Sequence, residues 1–326
     1  MATDKLNMVQ AINLALSQEL ERDPNVIVMG EDVGVDGGVF RVTDGLQAKF
    51  GPERVIDTPL AESGIAGTAV GMAVYGMRPV IEMQFDGFAF VALHQLLLHA
   101  AKMRNRTRGR LTCPLVCRAP YGGGIRALEL HCEPIEIQFI NAAGIRVICP
   151  SNPNDAKGLL AAAIRDPDPV LFLEPKKIYR AFKEDVELDP FVEELDKAAI
   201  ARDGKDVTVI SYGAMVRQCL NAAENLKNDI SVEVVDLRTL SPLDEATILK
   251  SVQKTGRAVI MHEAPRTGGY GGEIAALIAE KALTSLQAPI QRVTAPDVPV
   301  ALAKLEDYYM PDEFKVARAI RKAMSF

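Results

Sequence analysis

Hydrophobic and polar positions along the chain form two alternating series of short apolar runs and amphipathic stretches, separated by one charged, irregular segment. Val9, Ile12, Ala15, Leu16 and Leu20 recur at helical spacing and stop before Asp23-Pro24, which predicts a helix over Val9–Leu20 with one face buried. The run Val26–Met29 halts at Gly30-Glu31-Asp32, and Val55–Ile56 halts at Asp57-Thr58-Pro59, as strands do where they run into polar loops. Further strands are predicted at Pro79–Met83, Leu115–Arg118, Arg146–Cys149 and Val170–Leu173, with helices at Ala61–Tyr75, Phe90–Met103 and Asn154–Ile164. Across Tyr179–Lys205 charges cluster, Pro190 intervenes and periodicity weakens, so the domain junction is expected there. Beyond it the alternation restarts with strands at Val207–Ser211, Val232–Asp236, Ala258–His262 and Ile290–Thr294. Helices are predicted between them at Val216–Leu226, Asp244–Lys254 and Gly272–Ala282. The pattern predicts an α/β chain of two domains, 1–185 and 205–326 with a linker at 186–204, each a mainly parallel sheet flanked by helices. In open sheets of this kind ligands bind beyond the carboxyl ends of the strands.

Composition narrows the function. With 48% hydrophobic and 25% charged residues the chain can bury a large core, and a net charge of -6 is the wrong sign for a general nucleic-acid binder. Cysteines at 113, 117, 132, 149 and 219 form no Cys-x-x-Cys pair and are expected to be reduced and mostly buried. The N-terminal residues carry Asp4 and Lys5 rather than the apolar stretch of a secretory signal, so a cytoplasmic location is expected. The longest apolar region, Gly87–Ala101, contains His94 and falls short of the roughly 20 residues that span a bilayer. The basic run Arg104–Arg110 reads as a solvated helix end or an intersubunit salt-bridge site.

Several signatures are missing: no GxGxxG follows a predicted strand, and there is no P-loop, no HExxH and no GxSxG. The stretch DTPLAESGIAGTAVGMAVYG, 57 to 76, is more informative. It places Glu62 in the first turn of a small-residue helix directly after a strand end, where a carboxylate can face a ligand. A first-turn glutamate also gains about 0.3 to 1 kcal/mol from the helix dipole with no function at all, so Glu62 by itself leaves both readings open. Gly64, Gly67 and Gly71, three or four apart, are expected to let another backbone approach the helix closely. Phe88 alone reads equally as a core aromatic, and His131, beyond the glycine-rich Tyr121–Gly124, as a structural histidine or an acid-base group.

The combination is more specific. DTPLAESGIAG, EMQFDGFAF at 82 to 90, RAPYGGG at 118 to 124, ELHCEP at 129 to 134 and IRDPDPVLFLEPKKIYR at 164 to 180 occur in this order. Together with GEDVGVDGGVF at 30 to 40 and VVDLRTLSPLD at 234 to 244, they resemble the beta subunits of the thiamine-diphosphate-dependent decarboxylating component of 2-oxo acid dehydrogenase complexes, over essentially the whole chain. The resemblance implies a transketolase-like pyrimidine-binding domain followed by a transketolase C-terminal-like domain. It implies that Glu62 hydrogen-bonds the ring nitrogen N1′ of the cofactor aminopyrimidine. Phe88 would pack on that ring with Gln84 and Leu60 beside it, and His131 would face the substrate and the incoming lipoyl group. Cys132-Glu133 stands where many relatives carry Ser-Gln. Carried over in the same way is a potassium site of main-chain oxygens at Leu115, Ala163, Ile164, Asp166 and Asp168, although Asp166-Pro167-Asp168-Pro169 is in itself an ordinary turn sequence.

Enzymes of this type hold the diphosphate through magnesium at a Gly-Asp-Gly motif, which this sequence lacks. The resemblance therefore implies an alpha subunit that supplies the metal site, an α2β2 heterotetramer, and no activity from this chain alone. Contacts with the partner are expected along the helix Ala61–Tyr75 and the apolar run Phe85–Ala101. The C-terminal domain would dock the subunit-binding domain of the lipoyl acyltransferase core, with the Phe326 carboxylate as a contact. HEAPRTGGYGGEI at 262 to 274 and FLEPKKIYRAF at 172 to 182 favour branched-chain 2-oxo acids as substrates; pyruvate and acetoin dehydrogenases are the alternatives, and a noncatalytic regulatory subunit is the reading from a different class.

Overall fold

The computed structural model describes residues 2–326, which form two compact units. The first comprises the chain up to Gly122 together with Leu130–Leu195; the second comprises Gly123–Glu129 and Asp196–Phe326.

In the first unit eight strands, β1 (Thr3–Leu6), β2 (Val26–Gly30), β3 (Val55–Asp57), β4 (Arg78–Glu82), β5 (Val116–Tyr121), β6 (Arg146–Ile148), β7 (Val170–Pro175) and β8 (Glu184–Glu187), follow in chain order. Six of them lie parallel in the spatial order β6-β7-β5-β4-β2-β3. Every residue of β2, β5 and β7 is buried, which is why these strands read as apolar runs, broken only by Arg118 and Glu174, rather than as alternation. The helix Met8–Arg22 starts at a reciprocal capping box, Asn7 accepting from the Gln10 N–H and the Gln10 side chain accepting from the Asn7 N–H. Its buried face packs on the helix Pro153–Arg165, and the buried Glu19 carboxylate takes Arg165 in a bidentate pair. The stretch expected as one helix over Phe90–Met103 changes winding along its length. It opens as a 3₁₀ turn at Asp86–Phe88, continues as an α-helix over Ala89–His94 and widens to a π-helix over Gln95–Ala100.

The second unit contains β9 (Ala199–Arg202), β10 (Val207–Ser211), β11 (Val232–Asp236), the short β12 (Thr239–Ser241), β13 (Ala258–Pro265) and β14 (Gln291–Ala295). Its five-stranded sheet has the order β14-β13-β10-β11-β9, parallel except for β9. Helices Ala214–Leu226 and Glu313–Met324 pack together on the sheet, as do Glu245–Thr255 and Gly271–Ala282.

Three elements depart from the sequence reading. β8 and β9 lie in or beside the segment read as linker: β8, EDVE, is polar, and β9, AIAR, is four residues long and half-exposed, too short to stand out among the charges around it. The terminal helix Glu313–Met324, capped by Asp312, buries only Val316, Ile320 and Ala323, and its run of charges hides that stripe. All five cysteines are free and buried, and burial pushes the Cys117 and Cys219 thiols up to about 12.

Candidate active site

The carboxyl ends of β2, β3 and β4 assemble an acidic corner in the first unit. β2 runs into Glu31, β3 ends at Asp57, and the helix Glu62–Val74 begins five residues later. Asp57 accepts from the Gly34 N–H at 2.5 Å and the Val35 N–H at 3.3 Å, tying down the loop after β2. A Cβ on Gly34 would stand 2.4 Å from the Asp57 carboxylate, so only glycine fits there. Glu31 and Glu62 are both buried, at 7% and 9% exposure, and neither forms a salt bridge with a cation among the described residues. Oε1 of Glu31 has no hydrogen-bond partner among the described residues. Burial raises the Glu31 pKa, and the neighbouring Glu62 and Asp32 carboxylates raise it further. Gln84, just after β4, donates to Asp32 Oδ2 at 2.9 Å and to the Glu31 carbonyl at 3.5 Å, which joins the β4 end to the same corner. Leu60 is 79% exposed and touches none of this through a polar contact.

An aromatic cluster follows the end of β4. The His131 ring lies 4.1 Å from Phe85 and 5.2 Å from Phe88, and Phe85 also meets Phe40 edge-on at 5.4 Å. Gly87 makes this possible: a Cβ there would be 2.1 Å from the Leu130 carbonyl, so the backbone that carries His131 rests directly on the turn that carries Phe88. Beneath the turn, fully buried Asp86 accepts from Lys176 Nζ at 2.8 Å, from the Gly122 N–H at 2.7 Å and from its neighbour Gly87 at 2.9 Å. Burial holds the Asp86 pKa above the usual carboxylate value, with Lys176 pulling the other way. A second buried network lies alongside: Arg118 pairs with Glu82 at 2.7 Å and with Glu174 at 2.6 Å, and Tyr179 donates to Glu174 at 2.5 Å. These ion pairs bind the ends of β4, β5 and β7 to one another, and they hold the aromatic cluster from below.

Of the residues singled out in the sequence, the structure thus brings Phe88 and His131 into contact and joins Gln84 to the Glu31 and Glu62 corner. Glu31, Asp86, Lys176, Arg118 and Glu174 were not singled out. Each lies in a motif quoted above, but their pairing spans 36 to 90 positions and leaves no local trace. The proposed potassium ligands lie elsewhere. Leu115 precedes β5, Asp168 precedes β7, and Ile164 and Asp166 end the helix Pro153–Arg165, which puts them at the amino ends of the strands, opposite the acidic corner. The Ile164 and Asp166 carbonyls already accept from Arg78 Nη1 at 2.9 and 3.2 Å, the Leu115 carbonyl from the Val170 N–H and the Ala163 carbonyl from the Asp166 N–H. The Asp168 carboxylate pairs with Arg104.

The comparisons fit this arrangement. Residues 4–181 match the family described as "Transketolase, pyrimidine binding domain", and residues 196–316 match "Transketolase, C-terminal domain". The chain is 50% identical over 318 residues, 97% of each chain, to the pyruvate dehydrogenase E1 component subunit beta of Acholeplasma laidlawii. It is 49% identical over 323 residues, 99% of each, to the protein of that name from Bacillus subtilis (strain 168). The chain belongs to the family of E1 beta subunits of 2-oxo acid dehydrogenases. A solved structure named "Split gene transketolase, inactive beta4 tetramer" shares the fold with a TM-score of 0.79 over 99% of both chains, at 22% identity.

E1 components of this family depend on thiamine diphosphate, and the acidic corner suits the aminopyrimidine end of that cofactor. A buried carboxylate oxygen without a donor, beside a second buried carboxylate that no cation neutralises, is a set of acceptors for ring and amino nitrogens. No group of three or more metal-binding side chains occurs among the described residues. No helix among them is long and apolar enough to cross a membrane.

The helix Glu62–Val74 keeps its glycines clear of the rest of this chain's backbone. Gly71 has nothing within 4 Å of a hypothetical Cβ, Gly64 has only Ala61 of its own turn, and Gly67 faces the Gln95 side chain. No backbone of this chain approaches the glycines closely. Gly64, Thr68, Gly71 and Tyr75 form an exposed face instead.

Proposed function

We propose that this chain builds the pyrimidine half of the active site of a pyruvate dehydrogenase E1 component, completed by an alpha subunit. The observation that carries the reading is the buried, cation-free pair Glu31 and Glu62 at the strand ends. Thiamine diphosphate, when bound, supplies the carbon nucleophile and the electron sink for decarboxylation of a 2-oxo acid. Glu62 holds the hydrogen bond to N1′ of the aminopyrimidine, and Glu31 shapes the field around it. Phe88 packs on the ring, with Gln84 and Leu60 bordering it, and the aromatic cluster excludes water. His131, resting on Phe85 and Phe88, handles the proton at the substrate oxygen and faces the lipoyl group.

Pyruvate as the substrate draws support from the relatives' names at 46 to 50% identity. The branched-chain preference expected from HEAPRTGGYGGEI and FLEPKKIYRAF has no support from them. The missing Gly-Asp-Gly motif supports magnesium on the alpha subunit, and the exposed small-residue face of the helix Glu62–Val74 is the surface on which that subunit packs in an α2β2 assembly. A potassium ion at the amino ends of β5 and β7 would share the second lone pairs of carbonyls that already accept hydrogen bonds, and its role would be structural. The 65% exposed Phe326 remains the proposed contact with the acyltransferase core, in a cytoplasmic complex.

The test is decarboxylation by the chain co-assembled with its alpha subunit, thiamine diphosphate and magnesium, with pyruvate and 3-methyl-2-oxobutanoate at equal concentration. Preference for pyruvate is expected. Preference for the branched acid restores the substrate read from the sequence, and inactivity on both with the cofactor bound points to acetoin.

A further inference from the structure

The second unit carries a cleft of about 680 Å³ along the edge strand β14, the turn after β13 and the helix Glu313–Met324. That volume lies within the range of roughly 300 to 1,000 Å³ common for small-molecule sites. Arg266, Arg292, Lys315, Arg318 and Lys322 line it, and Asp297 is the only carboxylate among the lining residues. Asp297 is engaged by the Thr267 N–H and hydroxyl, each at 2.8 Å, and also interacts with Arg266. Among the described residues, none of Arg266, Arg292, Arg318 and Lys322 forms a salt bridge.

The cations are placed rather than scattered. Arg266 and Arg292 each donate from Nη1 to the other's main-chain carbonyl at 3.3 Å, which holds two guanidinium groups together on one wall. On the facing helix Lys315, Arg318 and Lys322 follow at i, i+3 and i+7, so like charges stack along one stripe, which destabilises a helix. The helix dipole favours Lys322 in the last turn but opposes Lys315 in the first. Lys315 Nζ is fixed by the Tyr308 and Met310 carbonyls at 3.0 and 2.6 Å. Such a concentration of positive charge in a chain of net charge -6 costs stability unless an anion relieves it.

We propose that this cleft is a binding site for a small anion bearing two or more phosphate groups. Paired guanidinium forks match phosphate oxygens bidentately, and the lysines opposite add point charges for a second group. An acidic protein surface would need a broad cationic face, whereas here the cations converge on one cleft.

Isothermal titration of the full chain, alone and assembled with its alpha subunit, with inorganic tripolyphosphate in metal-free buffer tests this. One saturable site per chain is expected in both. Arg292→Gln and Arg318→Gln should each weaken it about tenfold or more, since each removes a charged hydrogen bond. A larger loss of charge in the first unit, two lysines by Lys5→Gln with Lys49→Gln, should leave affinity unchanged. The proposal is overturned by the absence of saturable binding, or by equal weakening in the Lys5 and Lys49 control. Binding by the free chain that disappears on assembly also overturns it, since the cleft would then belong to a subunit interface.

Discussion

In the first unit, buried carboxylates are matched by buried cations from distant strands: Asp86 by Lys176, Glu82 and Glu174 by Arg118. In the second unit several are matched by main-chain N–H groups instead, although Glu233 pairs with Lys254. Glu263 accepts from Gly123, Glu306 from Gly124 and Arg126, and Asp244 from Ala198 and Thr247. The first arrangement cross-links strand ends and freezes the turns above them; the second pins local loops. Glu31 and Glu62 pair with no cation; Glu31 takes a main-chain hydrogen bond from Ala61 while its Oε1 stays unpaired among the described residues, and burial compensated only in part suits a ligand-binding carboxylate pair.

The contrast can be broken at several points. Replacing Glu62 by alanine should lower turnover of the assembled enzyme by about 100- to 10,000-fold, the range for loss of a proton-handling group. Thermal stability should hardly change, because the carboxylate has no partner to lose; a stability loss in proportion to activity would make Glu62 a structural residue. Removing one member of a cross-link should cost about 3 to 5 kcal/mol, as the remaining charge is left buried. Lys176→Met alone should show this in denaturant unfolding, and adding Asp86→Leu should recover only part of it, because the Gly87 and Gly122 N–H groups then lose their acceptor.

The interior of the second unit gives a pH-dependent signal. His262 is fully buried, neither ring nitrogen has a hydrogen-bond partner among the described residues, and Gly269 and Gly271 close on the ring. Burial lowers its pKa from the usual 6.5 to about 4. The unfolded chain therefore binds this proton first, so stability is complete above pH 6.5 and falls as pH drops toward 4, by about 3 kcal/mol at most from this group. His262→Gln should flatten the stability profile in that window; an unchanged slope would show that other groups set it. The smallest effect is expected at Glu306→Gln. The amide oxygen can accept from only one of the two loop N–H groups, since Gly124 and Arg126 donate to different carboxylate oxygens, so unfolding measurements should show a loss of about 1 to 2 kcal/mol, smaller than for Lys176→Met.

Both sheets were legible because their central strands are mostly apolar and are punctuated by Gly, Pro and Asp. The strands β8 and β9 were not, since each is only four residues long, buries at most one residue, and takes its conformation from the neighbour it pairs with. Glu62, Phe88 and His131 stood out only through ordered motifs, because a first-turn glutamate or a lone histidine has ordinary structural uses. Asp86 and Lys176 were invisible for a different reason: ninety positions separate them, and only the parallel order of β4, β5 and β7 brings them together.

The most direct test of the shared site is carbon dioxide release from pyruvate, with thiamine diphosphate and magnesium, by this chain alone, by its alpha subunit alone and by the two together. Turnover only from the combination, and its loss when Glu62→Gln is substituted in an intact assembly, is the predicted result. Undiminished turnover by the alpha subunit alone, or by the Glu62→Gln assembly, would contradict it.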